Sequence, residues 1–285
     1  MTPVIQARGL SKSYNGFAAL KDATFTIPLG RIVGVIGSNG AGKTTLLNSI
    51  LGLVRYDGEL EVLGLSPATH RAALMRDVCF IADVATLPRW MRVDQVLDYV
   101  AGVHPRFDRA RALDYLARTT VPLDKRVRAL SKGMVAQVHL AIVMAVDAKL
   151  LVLDEPTLGL DIIFRKTFYA NLLEDYFDKE RTIIVTTHQV EEVEHILSDV
   201  MFIRDGRVVL EATTDELGDR FVEIMVDAER VDEARAMGPL AEREAFGRKV
   251  FVFENPDRDR LAVLGECRRM GLADIFVAKM TGETA

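Results

Sequence analysis

The chain has 285 residues, of which 49% are hydrophobic and 27% are charged, and its net charge is −5. This composition excludes a disordered or fibrous chain and allows one large domain or two smaller ones. The acidic balance argues against a protein that binds nucleic acid through a general basic surface. The N-terminal stretch MTPVIQARGL lacks the apolar core of a signal peptide, and no apolar run is long enough to span a bilayer, so we expect a cytosolic protein. The two cysteines, Cys79 and Cys267, are predicted to be core residues in a reducing compartment.

The first half of the chain is predicted to alternate strands and turns and then to become helical. ATFTIP (23–28) alternates with period two, and RIVGVIG (31–37) is an apolar run typical of a buried strand. Glycines then lead into KTTLLNSILGL (43–53), which has helical spacing. Helical patterns dominate from about residue 72 to residue 148, with one clear apolar stripe at Val93, Val96, Leu97 and Val100.

The second half begins with LLVL (150–153) and TIIVTT (182–187), two apolar or β-branched strands separated by a helical segment. This alternation predicts a parallel sheet with helices on its faces, an α/β fold. VMFIRDGRVVLEA (200–212) reads as a hairpin that turns at Asp205 and Gly206. From about Arg220 the order is strand RFVEIMV, helix VDEARAM, strands around RKVFVFE, helix DRLAVLGECRRM and a last strand ADIFVA, a small βαββαβ module.

A glycine-rich loop between the buried strand and the first helix points to a bound phosphate. GSNGAGKTT (37–45) satisfies G-x-x-x-x-G-K-[ST] in the required strand–loop–helix context, where the alternative is a flexible turn. Glycines let successive N–H groups point at phosphate oxygens, and the helix N-terminus adds positive charge. Lys43 would reach the β- and γ-phosphates, and the Thr44 hydroxyl would bind Mg²⁺. The sequence therefore predicts a nucleoside triphosphate site.

Two acids follow the strand at 150–153, at the sheet edge where α/β proteins bind ligands. Asp154 suits the Mg²⁺ shell. Glu155 is predicted to be the general base that activates the attacking water. Two adjacent carboxylates repel each other unless a bound cation relieves the repulsion, which favours a functional role. The alternative is that Glu155 only forms a salt bridge. His188 ends the next strand and so faces the same edge. We expect it to contact the γ-phosphate, although a lone histidine is often structural.

The stretch LSKGM (130–134) stands at the start of a predicted helix and contains Gly133. A glycine there weakens a helix by up to about 1 kcal/mol relative to alanine. Gly133 therefore indicates that this position meets a requirement other than helix stability.

The order GSNGAGKTT, LSKGM, LLVLDEPTLGLD, TTH resembles that of the ATP-binding subunit of ABC transporters, over residues 1 to about 215. The resemblance implies a P-loop ABC ATPase with an antiparallel β subdomain, a mainly parallel core sheet, a helical subdomain at about 84–148 and a small C-terminal α+β module. The domain prediction is a cassette at 1–218 and an accessory domain at 219–285. The ending LADIFVAKMTGE is similar to the tail of ATPases that pair with ABC-2-type permeases, although the module could also be an accessory domain of no specific role.

The resemblance also implies a composite site, in which Ser131 and Gly133 of one subunit close over the γ-phosphate held by the other. A backbone amide at a glycine can approach phosphate with no side chain in the way. Tyr14 matches the aromatic that stacks on adenine, unless it only packs on the β subdomain. The residues expected to hold ATP are Tyr14, Gly37, Ser38, Asn39, Gly40, Ala41, Gly42, Lys43, Thr44, Thr45, Ser131, Gly133 and Asp161, the last in the loop that crosses the dimer interface.

The sequence departs from the family pattern at three positions. Asp83 stands where the family has a glutamine that contacts Mg²⁺, and we expect this aspartate to keep that contact, beside Thr44 and Asp154. In the signature, Lys132 replaces a glycine and Met134 replaces a glutamine.

The resulting hypothesis is an ATPase that uses ATP and Mg²⁺ and powers an ABC transporter, with an ABC-2-type exporter as the best match. It would work as a homodimer with separate permease chains, on the inner face of the cell membrane and without nucleic acid. The alternative is a soluble ABC ATPase that acts on nucleic acid or ribosomes. That class has two cassettes or a coiled-coil insertion and usually basic surfaces, which this sequence lacks. A regulatory cassette that only binds ATP is disfavoured by the intact Asp154–Glu155 pair.

Overall fold

The computed structural model describes residues 3–82, 87–158, 162–178, 180–245 and 247–281. In this part of the chain the strands are β1 Pro3–Tyr14, β2 Phe17–Pro28, β3 Ile32–Ile36, β4 Asp57–Val62, β5 Val78–Ile81, β6 Leu150–Asp154, β7 Thr182–Thr187, β8 Asp199–Arg204, β9 Arg207–Thr213, β10 Phe221–Val226, β11 Ala241–Ala245, β12 Arg248–Glu254 and β13 Gly265–Arg269. The helices are α1 Lys43–Ile50, α2 Pro67–Leu74, α3 Val93–Val103, α4 Arg109–Ala117, α5 Lys132–Met144, α6 Ile162–Asn171, α7 Val190–Val193, α8 Thr214–Arg220, α9 Val231–Ala236, α10 Arg258–Leu264 and α11 Leu272–Thr281. None of these helices is long and apolar enough to cross a membrane.

An antiparallel sheet in the order β2-β1-β4 begins the chain. Asn15 and Gly16 join β1 to β2 with φ of 47° and 86°, as a tight hairpin turn requires. Leu10, Phe25 and Ile27 are buried on one face of this sheet and pack in one core with residues of β3 and α1. The sheet therefore lies directly against the segment that carries the glycine-rich loop.

The central sheet has the order β5-β6-β7-β3-β8-β9 and is parallel except at the β8–β9 hairpin. Every residue of β3, β6 and β7 is buried, which explains why their sequences run apolar without alternation. The predicted parallel sheet is confirmed. The prediction that helical patterns dominate from residue 72 missed β5, because a four-residue apolar run has no readable period and becomes a strand only by pairing with β6.

The helices α3, α4 and α5 share a separate small core. Val93, Val96 and Leu97 of the predicted apolar stripe are fully buried in α3, and Val100 is partly buried. From α4 and α5, the residues Leu116, Val138 and others close this core. The amphipathic pattern thus places a helical layer beside the central sheet.

The C-terminal residues form an antiparallel sheet in the order β11-β12-β10-β13, with α9 and α10 packed on one face. The predicted βαββαβ order is present, but two elements were wrongly placed. The predicted helix DRLAVLGECRRM ends at Leu264 and continues as β13, because this segment pairs with β10. Cys267 lies on β13 and is exposed, so its predicted core position is wrong, whereas Cys79 is buried. The division of the chain near residue 218 stays a prediction.

The segment ADIFVA was predicted to be a strand and is part of the helix α11. Leu272, Ile275 and Ala278 recur at helical spacing, and all three are buried. The first two join the core that covers the central sheet, and the Phe276 ring meets the Phe202 ring edge-on, with centroids 5.3 Å apart. The contact with the core of the central sheet therefore decides between strand and helix here.

Candidate functional site

The glycine-rich loop runs from the end of β3 to the start of α1 and passes very close to its neighbours. A Cβ at Gly37 would lie 2.5 Å from the Ile203 carbonyl oxygen, and one at Gly42 would lie 2.5 Å from the Ala19 carbonyl oxygen. Gly42 also has a φ of 112°, which side chains rarely adopt. These glycines are therefore required by the fold of the loop itself.

Lys43 is the buried cation of this loop, with 7% of its side chain exposed. Its ammonium donates to the carbonyl oxygens of Gly37 at 2.7 Å and Ser38 at 3.3 Å. The Glu155 carboxylate lies 3.5 Å from the same nitrogen. The predicted phosphate-binding lysine thus points into the loop, where two carbonyl oxygens and a carboxylate surround its ammonium.

The two acids at the end of β6 are held by a threonine of the neighbouring strand. The Thr186 hydroxyl donates to Asp154 at 2.5 Å and accepts the Glu155 N–H at 3.0 Å. Asp154 and Thr186 are both buried. Sequence reasoning did not select Thr186, although a polar residue inside the apolar run TIIVTT could have indicated it.

Glu155 combines an unusual backbone with a side chain that faces the loop. Its φ of 47° is left-handed, a conformation that costs a residue with a side chain about 1 kcal/mol or more. His188, which follows β7, lies with its Nδ1 2.9 Å from the Glu155 carboxylate. The structure therefore brings Lys43, Glu155 and His188 together at the carboxyl edge of the sheet.

The oxygen donors expected to bind a cation are placed at this same edge. Thr44 is exposed in the first turn of α1, and Asp154 ends β6. A hydroxyl and a carboxylate are hard oxygen ligands, so their chemistry fits Mg²⁺. The predictions for Asp83 and Asp161 concern residues that lie outside the described part of the chain.

Tyr14 ends β1 beside the hairpin turn, and 40% of it is exposed. The Lys12 ammonium lies 4.8 Å from the centroid of its ring. An exposed aromatic ring beside a cation is suited to stacking on a base that carries phosphates. The structure does not bury Tyr14 in the β subdomain.

Ser131 and Gly133 start α5, away from the loop in sequence. The Ser131 hydroxyl caps the helix by accepting the Met134 N–H at 3.2 Å, and the Ser131 side chain is exposed. A Cβ at Gly133 would lie 2.7 Å from the ring of Phe164. Within one chain, the lack of a side chain at Gly133 therefore also makes room for the Phe164 ring of α6. The sequence did not indicate this contact.

Comparison with known proteins agrees with this geometry. A family profile described as ABC transporter matches residues 20–158. The chain is 28% identical to the ABC transporter ATP-binding protein YtrB of Bacillus subtilis, over 98% of this chain and 99% of that protein. It is 31% identical to the Nod factor export ATP-binding protein I of Ralstonia nicotianae, over 92% of this chain and 85% of that protein.

Among solved structures, cbiO1 from Clostridium perfringens, part of the ABC transporter complex cbiONQ, has a TM-score of 0.65 at 26% identity, and the match covers 76% of this chain and 91% of that chain. The loop around Lys43, the acids after β6 and these matches lead to one assignment. The chain belongs to the ATP-binding subunits of ABC transporters and is an ATPase.

Proposed function

We propose that Glu155 is the general base of ATP hydrolysis and that His188 contacts the γ-phosphate. The observation that carries this proposal is the position of the Glu155 carboxylate, 3.5 Å from the Lys43 ammonium and 2.9 Å from His188 Nδ1. A base must lie within hydrogen-bond reach of the water it activates, and the phosphate that is attacked lies beside Lys43. All three groups thus converge on one reacting centre.

The γ-phosphate of ATP would bind at the Lys43 ammonium, because a phosphate anion is a stronger acceptor for it than the Gly37 and Ser38 carbonyls. Glu155 would then accept a proton from water. The water oxygen bonds to the γ-phosphorus, the bond from that phosphorus to the β–γ bridging oxygen breaks, and the products are ADP and inorganic phosphate. Thr44 and Asp154, with Asp83 as a further ligand, would hold Mg²⁺, which neutralises phosphate charge when bound.

We further propose that two copies of the chain assemble around the nucleotides. Ser131 is exposed at the N-terminus of α5, a thirteen-residue helix, so its dipole end is accessible to an anion. In the dimer, Ser131 and Gly133 of one copy would contact the γ-phosphate bound near Lys43 of the other. Asp161 would lie in the segment between the subunits.

The transported substrate would pass through separate permease chains, with this subunit peripheral on the inner face of the cell membrane. The relative named for Nod factor export supports an exporter, and we propose that it is of the ABC-2 type. The tail LADIFVAKMTGE and the small C-terminal sheet are consistent with that group. Homologues named for transport favour this function over action on nucleic acid or ribosomes.

The substitution Glu155→Gln tests the catalytic part of the proposal. It keeps the shape of the side chain but removes the base, so ATP should bind normally while hydrolysis falls by about 100-fold or more. Glu191→Gln, which changes an exposed acid of α7, is the matched control and should leave the rate unchanged. A Glu155→Gln variant that hydrolyses ATP at the normal rate would overturn the assignment.

Purification of the membrane complex from the native host tests the transport part. The chain should be recovered with a hydrophobic permease. Recovery with ribosomes or nucleic acid, and without a membrane protein, would favour the alternative function.

A further inference from the structure

Arg165 of α6 contacts the segment that carries His188. Its Nη1 donates to the Gln189 Oε1 at 2.9 Å and also pairs with the Glu192 carboxylate. Gln189 directly follows His188, and Glu192 lies in α7. One guanidinium therefore holds two points on the segment that follows β7.

Glu192 also links to the segment that follows Glu155. The Thr157 hydroxyl lies 3.5 Å from the Glu192 carboxylate and 3.2 Å from the Tyr169 hydroxyl. Tyr169 belongs to α6, and burial raises its pKa to about 12, so its hydroxyl stays protonated. Three segments thus meet at one network: the turn after Glu155, the helix α6 and the turn after His188.

We propose that Arg165 is a positioning residue for ATP hydrolysis, which holds the segment after β7 against α6 and so keeps His188 within reach of Glu155. This proposal rests on the proposed function, because it depends on the roles assigned to Glu155 and His188. Arg165 itself is not expected to touch the nucleotide.

The helix α7 depends on its neighbours: Val190 and Val193 are buried in the core of the central sheet, and Glu192 pairs with Arg165. It spans only Val190–Val193, and a helix of a single turn has almost no stability of its own. Arg165 and Glu192 are each only 22% exposed, so their pairing is partly shielded from water. Loss of Arg165 leaves the Glu192 carboxylate partly buried without its cation, and the segment must then move toward solvent.

The test measures single-turnover hydrolysis of bound ATP by the purified full chain. Arg165→Ala should lower the rate about ten-fold with ATP affinity unchanged, because a small displacement of a reacting group is costly. Glu192→Gln keeps the size of the side chain and should act in the same direction. It serves as the second variant if Arg165→Ala folds poorly.

Arg181→Ala is the matched control. Arg181 is 17% exposed, pairs with Asp147 and lies just before β7, at the end of the strand opposite to His188. Its loss removes ion pairs with Asp147 and Asp178 without touching the segment after β7. The hydrolysis rate of this variant should therefore stay near normal even if its melting temperature falls.

A double-mutant cycle with His188→Ala separates positioning from general stability. If Arg165 acts through His188, Arg165→Ala should cause no further loss of rate in the His188→Ala background. An equal loss in both backgrounds, or a normal rate for Arg165→Ala alone, would overturn the proposal. A normal rate for His188→Ala would instead contradict the proposed function, so the two failures are distinguishable.

Discussion

The substitution Glu254→Gln should loosen the joint between the C-terminal sheet and α11. The Glu254 carboxylate accepts hydrogen bonds from Arg220 at 2.5 and 2.9 Å and from the Lys279 ammonium at 2.9 Å. Glu254 is 20% exposed and Lys279 only 11%, so this network lies between the surface and buried cases. Surface pairs contribute about 0–1 kcal/mol and breaking a buried pair costs about 3–5 kcal/mol. We therefore expect a loss of about 2 kcal/mol in the free energy of unfolding.

The effect should depend on pH in a defined direction. Burial raises the pKa of Glu254, but the hydrogen bonds from Lys279 and Arg220 outweigh it and hold the pKa below the ordinary value of 4.5. A depressed carboxyl pKa stabilises the fold above the unfolded-state value, and this contribution is lost as the pH falls through the folded-state value. The stabilities of the native chain and Glu254→Gln should thus differ fully at neutral pH and converge in acid.

Hydrogen exchange of α11 and denaturant unfolding of the full chain measure this effect. The amides of α11 should exchange faster in Glu254→Gln at neutral pH. Glu59→Gln is the control, because Glu59 forms an exposed pair with Arg8 at 3.9 Å and should contribute little. Unchanged exchange in α11 together with unchanged unfolding would refute the reasoning.

Three further changes address the ATP site. Lys43→Ala should weaken ATP binding by about 30-fold or more, measured by nucleotide titration, because the triphosphate loses a buried charged donor. Thr186→Val should lower the free energy of unfolding by about 2 kcal/mol in a denaturant titration, because the buried Asp154 carboxylate loses its donor, whereas the Glu155 N–H keeps the Thr186 carbonyl oxygen as an acceptor at 3.3 Å. Ser131→Glu, placed in the Glu155→Gln background, should prevent formation of an ATP-dependent dimer, because carboxylate and phosphate repel in a confined site. Light scattering of the two variants with ATP measures this. A dimer that still forms would reduce Ser131 to a helix cap.

The sequence pattern was sufficient to predict the site where one contiguous segment contains both the secondary structure and the functional residues. The strand, glycines and helix around Lys43 are contiguous, so their spacing alone predicts a phosphate loop. Asp154 ends one buried strand and His188 follows the neighbouring one. Parallel strands bring their carboxyl ends to the same edge of the sheet. The meeting of these groups therefore follows from the sheet that the apolar runs predict.

Contacts between distant segments could not be read in the same way. The contacts of Arg165 with Gln189 and Glu192 span 24 and 27 residues along the chain and depend on how α6 packs beside α7. Thr186 resembles any β-branched strand residue until β6 is placed next to it. Side-chain partners of this kind have no sequence period, so only the packed fold identifies them.

The ATPase motifs, the parallel sheet and the amphipathic helix around Val93, Val96, Leu97 and Val100 could be predicted from the sequence, because each depends on a short run with its own period or spacing. That Val78–Ile81 is a strand and Leu272–Thr281 is a helix became clear only from their packing. Both are short apolar segments with weak local preference. The neighbour that buries them, β6 in one case and the cassette core around Phe202 in the other, selects their conformation.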